Sequence, residues 1–160
     1  MAKGKQNIYV GPADGSNDKP LNIEGVNLTA SLLPGTVVEQ VATGLQANAN
    51  AATVFGQELL VADKDQLRSK AVSAAWTQNE NMVAIKARSG DVLNVLVAPT
   101  QDITAKGVPL SMSATAGLLK IAVTPATVGA TSEQVLCYSD EIIDTTGGPA
   151  TGTLVRVRVA

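Results

Sequence analysis

From Leu21 onward, turn-forming residues interrupt the chain at close intervals: Pro34-Gly35, Gly44, Gly56, Ser89-Gly90-Asp91, Pro99, Lys106-Gly107, Pro109, Gly117, Pro125, Gly129 and Gly147-Gly148-Pro149. Glycine admits positive φ and proline removes a backbone donor, so few stretches between these stops can hold a helix of ordinary length. The apolar runs that remain are short and rich in β-branched residues: 36–41, 57–61, 82–87, 92–98, 118–123, 134–138 and 154–159. Short runs at this spacing specify an all-β (mainly β) fold, a small barrel or sandwich of short strands. The last run is the most explicit. Val155, Val157 and Val159 alternate with Arg156 and Arg158, giving a strand with one apolar and one cationic face.

Two regions depart from this pattern. In 62–80, Leu67, Ala71 and Ala75 lie four apart behind Asp63 and Asp65, which suits one short helix. Val72, Ala74 and Trp76 alternate equally well, with Asn79-Glu80-Asn81 as the tip of a hairpin returning through Val83 and Ile85; this second assignment is preferred. Val37, Val41 and Leu45 also have helical spacing, but Gly44 and the neighbouring Val37 and Val38 favour a strand. The Ala/Asn-rich segment 46–53 reads as an exposed loop.

Residues 1–20 carry Gly4, Gly11, Pro12, Asp14-Gly15-Ser16-Asn17-Asp18 and Pro20, the composition of a flexible, irregular N-terminal arm. Were the arm to tie onto a neighbouring subunit, Ile8, Tyr9 and Val10 would anchor it. Residues 21–160 then form a single β-rich domain. A chain of 160 residues buries roughly 68–70% of its unfolded surface, enough for a true core.

The core must be aliphatic, because 45% of residues are apolar but only 2% are aromatic. There is no histidine, which removes the commonest general base and metal ligand and points away from an enzyme. A net charge of −2 creates no basic field for phosphates, so nucleic acid is not an expected partner. Cys137 is the only cysteine; it reads as a small core residue of a chain made in a reducing compartment. Near the start, Ile8-Tyr9-Val10 is too short an apolar patch for a signal peptide or a span, so no membrane is expected.

No cofactor or metal is expected either. Asp63-Lys64 superficially matches a swinging-arm lysine, but a solvated loop lysine accounts for it. Asp14, Ser16, Asp18 and Glu24 fail the calcium-loop pattern, since Lys19 and Gly25 stand where Gly and Glu are needed. Asp140, Glu141 and Asp144 read as an acidic turn, and 147–153 as a glycine-rich turn lacking the Lys-Ser/Thr end of a phosphate loop. Asn27-Leu28-Thr29 is a chance glycosylation sequon. Arg156 and Arg158 differ from these, because two guanidinium groups on one strand face can pair with carboxylates across an interface. With Arg68 and Arg88 they are the candidate contact arginines.

Three segments carry a family resemblance: Ser31-Leu32-Leu33-Pro34-Gly35-Thr36-Val37-Val38, Ala87-Arg88-Ser89-Gly90-Asp91-Val92-Leu93-Asn94-Val95-Leu96-Val97-Ala98, and Leu154 to Ala160. Between them lie Ile103-Thr104-Ala105-Lys106-Gly107-Val108-Pro109-Leu110 and Ala116-Gly117-Leu118-Leu119. Over about 30–160 the chain resembles tailed-bacteriophage head decoration proteins, also called cement proteins. The resemblance implies a non-enzymatic protein of the virion exterior, made in the host bacterial cytoplasm. It would bind the major capsid protein at capsomer junctions and stabilise the expanded icosahedral shell against internal DNA pressure, commonly as a homo-oligomer, trimer or dimer. Its arm does not match the family pattern. A head fibre or spike base that binds a host glycan is the alternative; it would need aromatic or amide-rich surface patches against sugar, and only Trp76, Tyr9 and Tyr138 are large enough to stack. A cytoplasmic β-barrel enzyme or carrier is the third reading, with no catalytic constellation behind it.

Overall fold

The computed structural model describes residues 5–12, 19–123 and 131–160. These form strands β1 (Tyr9–Pro12), β2 (Leu21–Val26), β3 (Ser31–Leu32), β4 (Val37–Val41), β5 (Gly44–Ala47), β6 (Leu60–Ala62), β7 (Trp76–Thr77) and β8 (Asn81–Lys86). They continue with β9 (Asp91–Val97), β10 (Asp102–Ile103), β11 (Pro109–Met112), β12 (Leu119–Ile121), β13 (Cys137–Ser139), β14 (Ile143–Asp144) and β15 (Thr153–Val159). The architecture is all-β, as expected, with no helix among the described residues.

Five strands close a barrel in the order β9-β12-β11-β13-β15, with β15 pairing back onto β9. The closing pair is the longest antiparallel ladder in this barrel, from Thr153↔Val97 to Arg158↔Val92. A second sheet runs β2-β8-β6-β4-β5. Its outer strands approach each other where the Leu28 N–H donates to Leu45 O at 2.8 Å. Gly44 permits that approach, since a Cβ there would lie 2.3 Å from Val26 O.

Period-two alternation gives this second sheet two buried faces. Val37, Val61 and Ile85 enter the main core with Leu93, Val95, Val97, Leu110, Leu119, Val155 and Val157. Their chain neighbours Val38, Leu60, Ala62 and Ala84 enter a second core with Leu32, Leu45, Trp76 and Met82. A strand buried on both faces reads as a continuous apolar run, which is why Leu59-Leu60-Val61-Ala62 shows no alternation. Each fully buried Val, Leu or Ile among them contributes about 1.5–3 kcal/mol by leaving water.

Three expectations need correction. The supposed irregular arm is partly in the fold: β1 pairs with the start of β9, Tyr9↔Leu93 to Pro12↔Asp91, and Ile8 is 0% exposed in the main core. Its partner strand lies about eighty residues away in sequence, so local composition carries no sign of the pairing. Residues 1–4 and 13–18 of that arm lie outside the described residues. Within 62–80 there is neither a helix nor the expected hairpin. Ser69 (φ 53°) sits among turns, and β7 pairs with β3 rather than with β8, although Asn79 (φ 69°) does occupy a turn. In 46–53, Gln46 and Ala47 belong to β5 and Asn48 is buried; Gly44 opens a strand instead of ending one.

Candidate docking face

The alternation of β15 is realised as written: Val155 and Val157 are fully buried while Arg156 and Arg158 stand outward. Cross-strand pairing decides what surrounds them. Arg156 is opposite Asn94 on β9, and Arg158 lies between Val92 on β9 and Tyr138 on β13. Tyr138 is 42% exposed. Ile142, in the segment after β13, is also exposed. The result is a sheet face bearing an aromatic ring and two guanidinium groups, residue types over-represented in protein interfaces.

The turn after β13 supplies the carboxylates of this face. Asp140 Oδ1 lies 3.6 Å from both Arg158 Nη2 and Lys106 Nζ. Glu141 Oε1 accepts the Arg156 backbone N–H at 2.7 Å and pairs with Lys5 Nζ. Burial pushes the Lys5 ammonium below its ordinary pKa against the opposing pull of Glu141, and the nearby Arg156 lowers it further. The Arg156 guanidinium has no carboxylate partner among the described residues. Four cations thus face two carboxylates on a chain whose net charge is −2. Between the start of the chain and β15 the face opens into a cleft of about 490 Å³, lined by Lys5, Gln6, Asn7, Tyr9, Val10, Asn94 and Arg156. Asn94 is 3% exposed, and its Nδ2 donates to Asn7 O at 2.7 Å.

Of the candidate interface residues, the structure therefore gathers Tyr9, Val10, Arg156 and Arg158. Val10 is 46% exposed, whereas the half-buried Tyr9 brings its hydroxyl 3.4 Å from Asp91 Oδ1. Ile8 does not belong, because its side chain is enclosed in the core and out of reach of a partner. Arg68 does not belong either: it lies on the 63–75 loop, bound to Glu80 at 2.8 Å and near Asp65 at 3.6 Å. Arg88 sits in the β8–β9 turn with its guanidinium donating to Lys19 O at 2.6 Å. Lys5, Lys106, Tyr138, Asp140 and Glu141 join the face through tertiary contacts that the sequence does not announce; its one local signal is the outward Tyr138 between the buried Cys137 and Ser139 of β13.

The other motifs resolve into structural parts. Asp140 and Glu141 serve ion pairs and Asp144 accepts the Thr146 N–H. Lys64 Nζ donates to Gln6 O and Asn7 Oδ1. Asn27 is wholly buried, donating through Nδ2 to Thr29 O and Thr77 O. Trp76 is 4% exposed and donates its indole N–H to Asp63 O, so its ring face is not free for stacking. Cys137 is fully buried in the main core, and burial alone pushes its thiol far above the ordinary pKa. Asp14, Ser16 and Asp18 lie outside the described residues. No protein-family model and no curated protein matches this chain.

Proposed function

We propose that this chain is a structural virion protein that binds the outer surface of an expanded icosahedral capsid at capsomer junctions and stabilises it against internal DNA pressure, as tailed-bacteriophage head decoration proteins do. The observation that carries this reading is the convergence of the three segments of resemblance. Residues 87–98 and 154–160 supply the two strands of the β9–β15 ladder, and 31–38 locks onto it through Gly35, whose carbonyl accepts the Leu96 N–H at 2.8 Å. The outward side of this unit is the Arg156, Arg158 and Tyr138 face. A net-cationic face on an anionic chain orients the protein toward an acidic surface and leaves the rest of it weakly repelled. Many modest contacts repeated over a closed shell suffice, because each subunit bridges neighbours already held together.

The test is occupancy on particles. Quantitative mass spectrometry of purified source particles should find hundreds of copies in fixed ratio to the shell protein; absence from particles would sink the reading. The double variant Arg156→Glu, Arg158→Glu should refold with an unchanged melting temperature yet bind expanded shells at least tenfold more weakly. Unchanged occupancy would remove this face from the contact.

A further inference from the structure

Among the described residues, two buried side-chain polar atoms have no hydrogen-bond partner, Asp65 Oδ2 and Asn94 Oδ1. The first lies 3.6 Å from both Arg68 Nη1 and Lys70 Nζ, so opposite charge compensates it. Asn94 is neutral, and an ion pair is not open to it. It sits on β9 directly opposite Arg156 of β15 and lines the cleft beside the chain start. Its Nδ2 donates to Asn7 O at 2.7 Å, which fixes the amide, since a flip would set oxygen against oxygen. The carbonyl oxygen is left as an acceptor without a donor, on a residue only 3% exposed. Such an acceptor costs stability that the N–H of a ligand would recover.

The charge of the cleft decides what else the ligand carries. Lys5 and Arg156 are the charged residues of its lining, with no carboxylate among them. Lys5 Nζ is already committed, to Glu141 and to Leu154 O. Arg156 has no carboxylate partner among the described residues. One guanidinium is therefore left to neutralise, and a single carboxylate matches its planar fork and its single charge better than a doubly charged phosphate does. At about 490 Å³ the cleft has room for one side chain and the backbone that bears it.

We infer that this cleft receives one aspartate or glutamate of an extended peptide segment, with the carboxylate on the Arg156 guanidinium and a backbone N–H of the same segment reaching Asn94 Oδ1 directly or through one water. A sugar acid fits less well, because it brings several hydroxyls that must each find a partner, whereas the buried lining offers one open acceptor. On the reading of this face as the shell contact, on which the assignment rests, the peptide belongs to the shell protein. The contact then has a defined chemistry, an acidic segment in extended conformation, beyond a general attraction to negative charge.

Nitrogen–proton NMR titration of the full chain tests it. The probe is a blocked hexapeptide carrying two aspartates, with its asparagine counterpart and N-acetylneuraminic acid as comparisons. The aspartate peptide should give saturable shifts in the side-chain signals of both Asn94 and Arg156. The asparagine peptide should bind at least tenfold more weakly, and Arg156→Gln, at an exposed position, should weaken the aspartate peptide tenfold or more while circular dichroism stays unchanged. No saturable shift, an Asn94 signal that does not move, equal binding of the two peptides, undiminished binding by Arg156→Gln, or a preference for the sugar acid would each overturn the assignment. Occupancy on purified particles is scored separately. A chain that takes the peptide but is missing from particles upholds the cleft and sinks the shell reading; one that coats particles without taking the peptide does the reverse.

Discussion

Gly35 sits at φ +90° where an added Cβ would lie 2.4 Å from Leu154 Cδ2, at the junction that joins β3–β4 to the β9–β15 ladder. Both the positive φ and the lack of space oppose any side chain, so Gly35→Ala should destabilise the fold by about 1–3 kcal/mol. Urea unfolding measures this; an unmoved midpoint would mean that Leu154 yields without cost. Pro34-Gly35 was legible in the sequence as a turn, but the wedge against Leu154 was not, because it joins residues more than a hundred positions apart. Glu80 gives the pH dependence at the same scale. The Thr77 N–H and hydroxyl, then Arg68, hold its carboxylate near 2 against an ordinary 4.5. A depressed pKa contributes stability that is complete above 4.5 and lost as pH falls towards about 2. The melting-temperature gap between the natural chain and Glu80→Gln should therefore be present at neutral pH and close on acidification through that window. A gap independent of pH would show that the carboxylate contributes nothing as a charge.

At the scale of elements, legibility follows how local the pairing is. β4, β8, β9 and β15 were readable because five to seven consecutive residues of β-branched or alternating character announce a strand wherever it pairs. The two-residue strands β3, β7, β10 and β14 have no such signal; each exists because a distant partner offers a register. β1 is the instructive case. Gly11 and Pro12 gave its segment the look of an arm, yet the Asn94 N–H donates to Ile8 O at 2.8 Å and Ile8 fills the main core. Ile8→Ala should accordingly cost about 2–5 kcal/mol in chemical denaturation, as a core truncation does. A loss below about 0.5 kcal/mol, the range of surface substitutions, would return the segment to the status of an accessory.

Across the whole molecule, the candidate docking face draws Lys5 from the chain start, Lys106 from the β10–β11 connection, Tyr138 and Asp140 from β13 and its turn, and the arginines from β15. The arginines declared themselves in advance, since their alternation with valine is a local fact, and Tyr9 and Val10 stood out as the apolar patch of the arm. Arg68, equally charged, lies elsewhere beside Glu80. The sequence by itself determined an all-β body with an aliphatic core: short β-branched runs between turn residues suit strands, the scarcity of aromatics leaves valine, leucine, isoleucine and alanine to exclude water, and a two-residue period sends Val155 and Val157 of β15 to the core and Arg156 and Arg158 to solvent. Which strands became neighbours was decided only by the tertiary structure. Closing β9 onto β15, adding β1 to β9 and burying both faces of the second sheet are contacts between distant segments, whose register depends on the simultaneous packing of the whole barrel rather than on any one stretch of chain.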